Sequence, residues 1–103
     1  MFTITQGTTP THTFTLPFDT STIASVRFVY SQEGEVKVVK DGAAVQKDGA
    51  KVSTTLTQAD TFALTPGVEV RLMLRVLTKG GDALASDVKT GRCRSNADKE
   101  VLA

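Results

Sequence analysis

The stretch VEVRLMLRVL, from Val68 to Leu77, decides the fold because its side chains alternate in character with a period of two. A strict period of two places every second side chain on the same face of a β-strand. The even positions of the run are all apolar: Val68, Val70, Leu72, Leu74 and Val76. A run of this length predicts a central strand with one buried face.

The segment before this strand, LTQADTFALTPG from Leu56 to Gly67, predicts a corner between two strands. Thr57 can cap a single helical turn through its hydroxyl, and Asp60 can reach back to complete a capping box. The Pro-Gly pair then ends the turn before the apolar alternation restarts. We therefore expect one strand to finish at this corner and the next antiparallel strand to begin after it.

The period of two recurs along the middle of the chain. Val26, Phe28 and Tyr30 share one face of a strand, and the turn QEGE joins that strand to VKVVK as a hairpin. The tetrapeptide KDGA occurs twice, at residues 40–43 and 47–50, and Asp-Gly favours the positive φ values of tight hairpin turns. We expect two reversals that enclose one very short edge strand.

The threonine-rich start of the chain predicts two short strand pieces, at about residues 2–6 and 11–16. Pro10 between them has no N–H to donate within a sheet. We therefore expect this first strand to lie at a sheet edge or to switch sheets.

The end of the chain predicts one more strand, with Leu84 and Val88 facing the core. Continued alternation would point Arg92 and Arg94 inward. We therefore expect Gly91 to bulge or to end the strand.

Short strands with turn signals roughly every 8 to 12 residues, and no convincing helix, match an all-β fold: an immunoglobulin-like antiparallel β-sandwich of about seven strands. A barrel of five or six strands is the alternative. We expect a single domain over residues 1–94 and a short C-terminal tail over residues 95–103. In this tail Ser95 can cap a brief helix, or the segment can fray.

Composition restricts the classes of function. The 103 residues allow one core, and a formal net charge of +1 does not favour nucleic acid as a partner. A single cysteine excludes an internal disulfide. No apolar run is long enough to cross a bilayer, and the start of the chain lacks a secretory signal, so we expect a soluble cytoplasmic protein.

Residues with catalytic or metal-binding chemistry are few. His12, the only histidine, has no nucleophile motif to serve as a base, and together with Cys93 it cannot supply a tetrahedral zinc site. Asp41 and Asp48 are explained by their turns rather than by calcium, which prefers six to eight oxygen ligands. We predict no catalytic residue, no cofactor and no metal ion, and hence a protein that is not an enzyme.

Met73 and Leu77 stand out because they occupy outward positions of the longest strand, in alternation with Arg71 and Arg75. A monomeric sandwich normally places polar groups there. Outward apolar residues indicate either a partner surface or cover from a neighbouring loop. These four residues are the predicted partner contacts.

Three segments carry a resemblance to a known family: FTITQGTTPTHTFTL (2–16), TLTQADTFAL (55–64) and PGVEVRLMLRVLTKGGDALAS (66–86). With them the chain resembles small Ig-like domains encoded in tailed bacteriophages and prophages of Gram-positive bacteria. Over roughly residues 1–92 it is similar in layout to the N-terminal domain of phage baseplate upper proteins. These motifs are structural, and no catalytic or ligand residues come with them.

The resemblance implies a non-enzymatic virion structural or assembly protein of a tail or baseplate. Its partners would be other phage structural proteins or copies of itself, with no nucleic acid and no membrane. It would reside in the host bacterial cytoplasm during assembly and then in the virion. The alternative is a carbohydrate- or cell-surface-binding Ig-like module, although the chain has no Trp and its one tyrosine, Tyr30, has core parity.

Overall fold

The computed structural model describes residues 1–102, which form two β-sheets packed face to face. The strands and the one α-helix in this range are β1 (Phe2–Thr5), β2 (Thr11–Thr15), β3 (Ile23–Gln32), β4 (Glu35–Asp41), β5 (Val45–Asp48), β6 (Lys51–Thr55), α1 (Gln58–Phe62), β7 (Glu69–Thr78), β8 (Ala83–Ala85) and β9 (Lys89–Arg94). Single 3-10 turns occupy Thr20–Thr22 and Gly42–Ala44.

The strand order defines the architecture. The larger sheet runs β1-β9-β7-β3-β4, with β8 also paired to β7, and the smaller sheet runs β2-β6-β5. All pairs are antiparallel except β1 with β9. Strands β2, β6 and β5 take the places of B, E and D of an immunoglobulin domain, and β4, β3, β7 and β9 take those of C′, C, F and G. The predicted immunoglobulin-like sandwich is confirmed, and the barrel alternative is wrong because the two sheets keep open edges.

The core fills the space between the sheets with the residues that the alternation predicted. Every even position from Val70 to Val76 on β7 is buried, as are Val26, Phe28 and Tyr30 on β3. Phe14 of the smaller sheet meets Phe28 of the larger sheet edge-on, with 5.6 Å between ring centroids. Because Cys93 is a free, buried cysteine, packing of this kind holds the sheets together without a disulfide.

The corner from Leu56 to Gly67 forms as predicted. The Thr57 hydroxyl accepts a hydrogen bond from the Asp60 N–H at 3.1 Å, and the Asp60 carboxylate accepts one from the Thr57 N–H at 2.9 Å. Lys40 Nζ of β4 also donates to Asp60 Oδ2 at 2.7 Å. Burial alone would raise the pKa of Asp60, but these hydrogen bonds and the Lys40 charge outweigh it and lower the pKa. The corner is thereby tied to the edge of the larger sheet.

The first strand switches sheets, which confirms the reading of Pro10. Strand β1 pairs with β9 in the larger sheet, and β2 pairs with β6 in the smaller one. The Pro10 carbonyl accepts a hydrogen bond from the Leu56 N–H at 2.9 Å as the chain enters the second sheet. The two strand pieces predicted at the start of the chain thus lie in different sheets.

The two KDGA segments have different roles. The second one joins β5 and β6 as the predicted hairpin, and β5 is the predicted short edge strand. The first one is not a hairpin turn, so that prediction is wrong: its 3-10 turn, Gly42–Ala44, carries the chain from β4 in the larger sheet to β5 in the smaller sheet. The crossing places Val45 in the core, where it is buried.

The predicted parity of the last strand is wrong, because the alternation reverses before Gly91. Leu84 pairs with Val76, whereas Lys89 pairs with Leu72, so one extra residue lies between β8 and β9. There the Leu74 N–H donates to the hydroxyl of Ser86 at 2.9 Å. Gly91 therefore lies within β9 and faces inward.

Neither residue predicted to face the core from this strand is buried. Val88 is 41% exposed, since the extra residue moves it to the opposite face, and Leu84 is 44% exposed although it pairs with a core residue. The same reversal keeps Arg92 and Arg94 exposed. The sequence alone predicts this change of parity at Gly91, as a bulge or a strand end.

The tail after β9 forms no helix within residues 95–102, so the helical option at Ser95 is wrong. Its polar groups bond to the body of the domain instead. Asn96 donates to the Gln6 carbonyl at 3.0 Å, Lys99 donates to the Gln6 side chain at 3.1 Å, and the backbone of Leu102 exchanges two hydrogen bonds with Gln58. The division at residue 94 stays a prediction.

Candidate functional site: the outer face of the larger sheet

The four predicted partner contacts lie together on the outer face, by which we mean the side of the larger sheet that points away from the smaller sheet. Arg71, Met73, Arg75 and Leu77 alternate along β7 with buried residues, so all four point outward. Leu77 is 42% exposed, and Met73 is half-buried. The strand alternation thus brings them onto one surface.

An apolar row crosses the middle of the outer face. Val29 of β3 is the register partner of Met73 on one side and of Val39 on the other. With neighbouring strands about 4.8 Å apart, the apolar row of Val39, Val29 and Met73 spans about 10 Å.

The valines of this row were missed by the sequence reasoning, although a signal was present. Val29 occupies the outward parity of its strand, and Val39 belongs to the apolar run of the next one. Their alignment with Met73 depends on which strands pair and in which register. Sequence alternation assigns a face to a residue, but it does not assign a neighbour on another strand.

All five arginines of the chain lie on the outer face. Arg27 belongs to β3, Arg71 and Arg75 to β7, and Arg92 and Arg94 to β9, where they alternate with buried Gly91 and Cys93. Each of them is exposed. The seven lysines, in contrast, are spread over strands of both sheets and the loops.

Two carboxylates share the outer face with these arginines: Asp41 is the register partner of Arg27, and Glu69 is the register partner of Arg92. Glu35, at the start of β4, is the register partner of the buried Gln32 instead. The remaining nine carboxylates lie elsewhere in the chain with the lysines. A chain that is almost neutral overall therefore concentrates positive charge on one surface. Such a separation of charge steers association even when the net charge is small.

The ion pairs leave most of this charge uncompensated. Arg27 Nη2 lies 3.3 Å from Asp41 Oδ2, and both side chains are about half exposed. Arg75 is the register partner of Arg27, so two like charges lie directly opposite each other. Within residues 1–102, the other four arginines have no carboxylate within 4.0 Å. Like charges in this position destabilise the free sheet slightly.

An open groove of about 550 Å³ adjoins one end of the outer face. Arg27, Arg75 and Leu77 line it from the outer face, and Lys47 of β5 lines it from the smaller sheet. The groove extends the exposed apolar surface at Leu77 toward Leu84.

Three titratable groups with shifted pKa values, His12, Tyr30 and Cys93, lie between the sheets and away from the outer face. His12 Nδ1 and the Tyr30 hydroxyl form a 2.6 Å hydrogen bond that links β2 to β3, and the Phe2 ring packs 5.1 Å from the imidazole. Burial raises the pKa of the Tyr30 hydroxyl and that of the Cys93 thiol. The His12–Tyr30 bond is a structural link between the two sheets, and Cys93 is part of the buried core.

Stability is expected to fall in mild acid because of His12. Burial, and then the charge of Lys89, lowers the pKa of His12 below its value of about 6.5 in the unfolded chain. Below about pH 6.5 the unfolded state therefore binds more protons than the folded state, and the free energy of unfolding decreases as pH falls toward the folded pKa. Denaturant unfolding at about pH 7.5 and about pH 5.5 measures this change.

The matched variant is His12→Asn, which does not titrate in this range. Its free energy of unfolding is expected to depend less on pH between these two values than that of the wild type. An identical pH dependence in the two proteins would show that His12 does not contribute.

No group of three or more His, Cys, Asp or Glu side chains within residues 1–102 is placed to hold a metal ion. No helix in the same range has the length and apolar character needed to cross a membrane.

Comparison with known proteins gives a limited result. No family model matches the chain, and no curated protein matches it. Among solved structures, the V domain of amphioxus IgVJ-C2 is similar, with 13% sequence identity and a TM-score of 0.33 over 89% of this chain and 98% of that one. The assignment to the immunoglobulin-like class follows from the strand order of the chain itself.

Proposed function

We propose that this protein is a non-enzymatic structural or assembly component of a phage or prophage, associated with a tail or baseplate, that acts by binding other proteins through the outer face. The observation that carries the proposal is the apolar row at the centre of an exposed sheet face. The phage setting is supported by the resemblance of the segments at 2–16, 55–64 and 66–86 to phage Ig-like domains.

The composition of the outer face supports protein binding. Protein interfaces typically combine an apolar centre with a polar rim, and they are enriched in arginine and methionine. Here Met73 and two valines form the centre, and arginines surround it. The six paired strands of the larger sheet hold these side chains at fixed spacing, so the surface is preorganised for binding.

A carbohydrate-binding module is the less supported alternative. Sugar-binding surfaces use exposed aromatic rings, and the only tyrosine, Tyr30, is fully buried and bonded to His12. The five phenylalanines are Phe2, Phe14, Phe18, Phe28 and Phe62, and each is buried or half-buried. Within the described residues 1–102, the outer face therefore offers no exposed aromatic ring.

The proposal is tested by capture from a host lysate after phage induction, followed by identification of the bound proteins. Tagged wild-type protein is expected to retain tail or baseplate proteins. The variant Val39→Asp with Leu77→Asp changes two side chains that are each 42% exposed, so it is expected to fold and to lose these partners.

The control is Thr13→Asp with Thr55→Asp, which adds the same charges on exposed positions of the smaller sheet. It is expected to bind like the wild type. If Val39→Asp with Leu77→Asp binds the same partners, the outer face is not the contact surface. If the bound proteins are not phage structural proteins, the phage assignment is wrong.

A further inference from the structure

We infer that the outer face binds an acidic protein surface, one that carries carboxylates on both sides of an apolar ridge. The inference rests on the proposed function, which assigns protein binding to the outer face. It adds the chemical character of the partner.

The arginines flank the apolar row on both sides. On one side, Arg27 and Arg75 lie opposite each other, two residues along the strands from Val29 and Met73. On the other side, Arg71 lies between its register partners Ser31 of β3 and Thr90 of β9. A partner that covers the apolar row therefore also contacts guanidinium groups along both of its edges.

The choice of arginine is informative because lysine is the more frequent basic residue in this chain, with seven lysines against five arginines. A guanidinium is less strongly hydrated than an ammonium, and its fork binds a carboxylate through two hydrogen bonds. These properties suit a contact from which water is excluded. Asp41 already pairs with Arg27, whereas Arg75 opposite it has no carboxylate within 4.0 Å, so a partner carboxylate at Arg75 would further reduce the repulsion between the two guanidinium groups.

Charge argues against a second copy of the same face as the occupant. A two-fold dimer places identical surfaces against each other, so each protomer would bring five arginines and two carboxylates to the contact. Like charges brought together in this way oppose association. A partner of opposite charge has the complementary arrangement.

The apolar row argues against nucleic acid. Phosphate groups are bound by basic and polar groups, which gain nothing from an apolar centre, and single strands are bound by stacking bases on aromatic rings. The centre of the outer face holds valine and methionine, and no aromatic side chain lies there. An apolar centre between two basic edges fits a folded protein surface better than a polyanion.

The test uses a displayed library of random 16-residue peptides selected on the wild-type protein. We expect the enriched peptides to combine Asp or Glu with apolar residues. Arg71→Glu should weaken their binding at least tenfold, and Leu77→Asp should do the same. Lys51→Glu, the same charge change on an exposed position of β6, should leave binding unchanged. Circular dichroism confirms that each variant is folded.

Three outcomes would overturn the inference. Enriched peptides that are basic or uncharged, or binding that tolerates Arg71→Glu, would exclude an acidic partner. A single-stranded DNA probe whose binding needs Arg71 but not Leu77 would indicate a polyanion site. Light scattering from micromolar to near-millimolar protein could show a dimer. If Leu77→Asp dissociates that dimer, the outer face binds a second copy.

The peptide experiment contains no phage material, so its failure is separable from that of the proposed function. If the selected peptides are acidic but the lysate capture yields no phage proteins, only the phage assignment is refuted. If phage proteins are captured and Arg71→Glu does not weaken their binding, only the acidic character of the partner is refuted.

Discussion

Replacing Gly91 with valine is expected to destabilise the fold by about 3 kcal/mol, the upper end of what overpacking usually costs. Gly91 faces inward on β9, where it is the register partner of Phe2 on β1. A Cβ atom at this position would collide with the Phe2 ring and would lie 2.6 Å from the Phe2 backbone oxygen. Because β1 pairs only with β9, relief of this clash requires the first strand to move away from the sheet.

Denaturant unfolding measures the effect, and Gly80→Ala is the matched control. Gly80 lies in the turn after β7 without a positive φ, and a Cβ there would be 3.8 Å from its nearest neighbour. The control is expected to change the free energy of unfolding by less than about 0.5 kcal/mol. A similarly small change for Gly91→Val would mean that β1 does not pack against Gly91 as described.

Replacing Gln32 with methionine is expected to cost about 3 kcal/mol, although the two side chains have similar size. Gln32 is 2% exposed at the end of β3. Its Nε2 donates to the carbonyls of Thr65 and Val68 at 2.9 and 3.1 Å, and its Oε1 accepts from the Thr65 N–H at 2.8 Å. Methionine leaves these backbone groups without partners, and an unsatisfied buried group costs about 1–3 kcal/mol.

Gln46→Met is the control, since Gln46 is exposed on the edge strand β5. It is expected to stay within about 0.5 kcal/mol of the wild type in denaturant unfolding. If both variants lose the same small amount of stability, the bonds from Gln32 to the segment before β7 contribute little to the fold.

These two residues show how the fold supports the outer face. Gln32 fixes the chain just before β7, the strand that carries the outer-face residues Arg71, Met73, Arg75 and Leu77. Gly91 lets Phe2 of β1 pack against β9, the strand that carries Arg92 and Arg94 on the outer face. The surface proposed to bind a partner therefore depends on contacts made on the opposite, buried side of the sheet.

Part of the candidate site was determined by the sequence alone. Alternation along one strand placed Arg71, Met73, Arg75 and Leu77 on one face, because successive side chains of a strand point to opposite sides. The class of fold and the corner before β7 were also predictable, because the signals for them are local in sequence. Period-two patterns, turn residues and the Thr57–Asp60 capping box each involve residues only a few positions apart.

The tertiary structure alone decided how these strands meet. It aligned Val29 and Val39 with Met73, gathered all five arginines on one surface, and used the first KDGA segment to change sheets. It also inserted the extra residue before β9 that turns Arg92 and Arg94 outward. Strand alternation is a local property, whereas register and sheet order are set by the packing of segments distant in sequence, so a surface built from several strands is defined only when they pair.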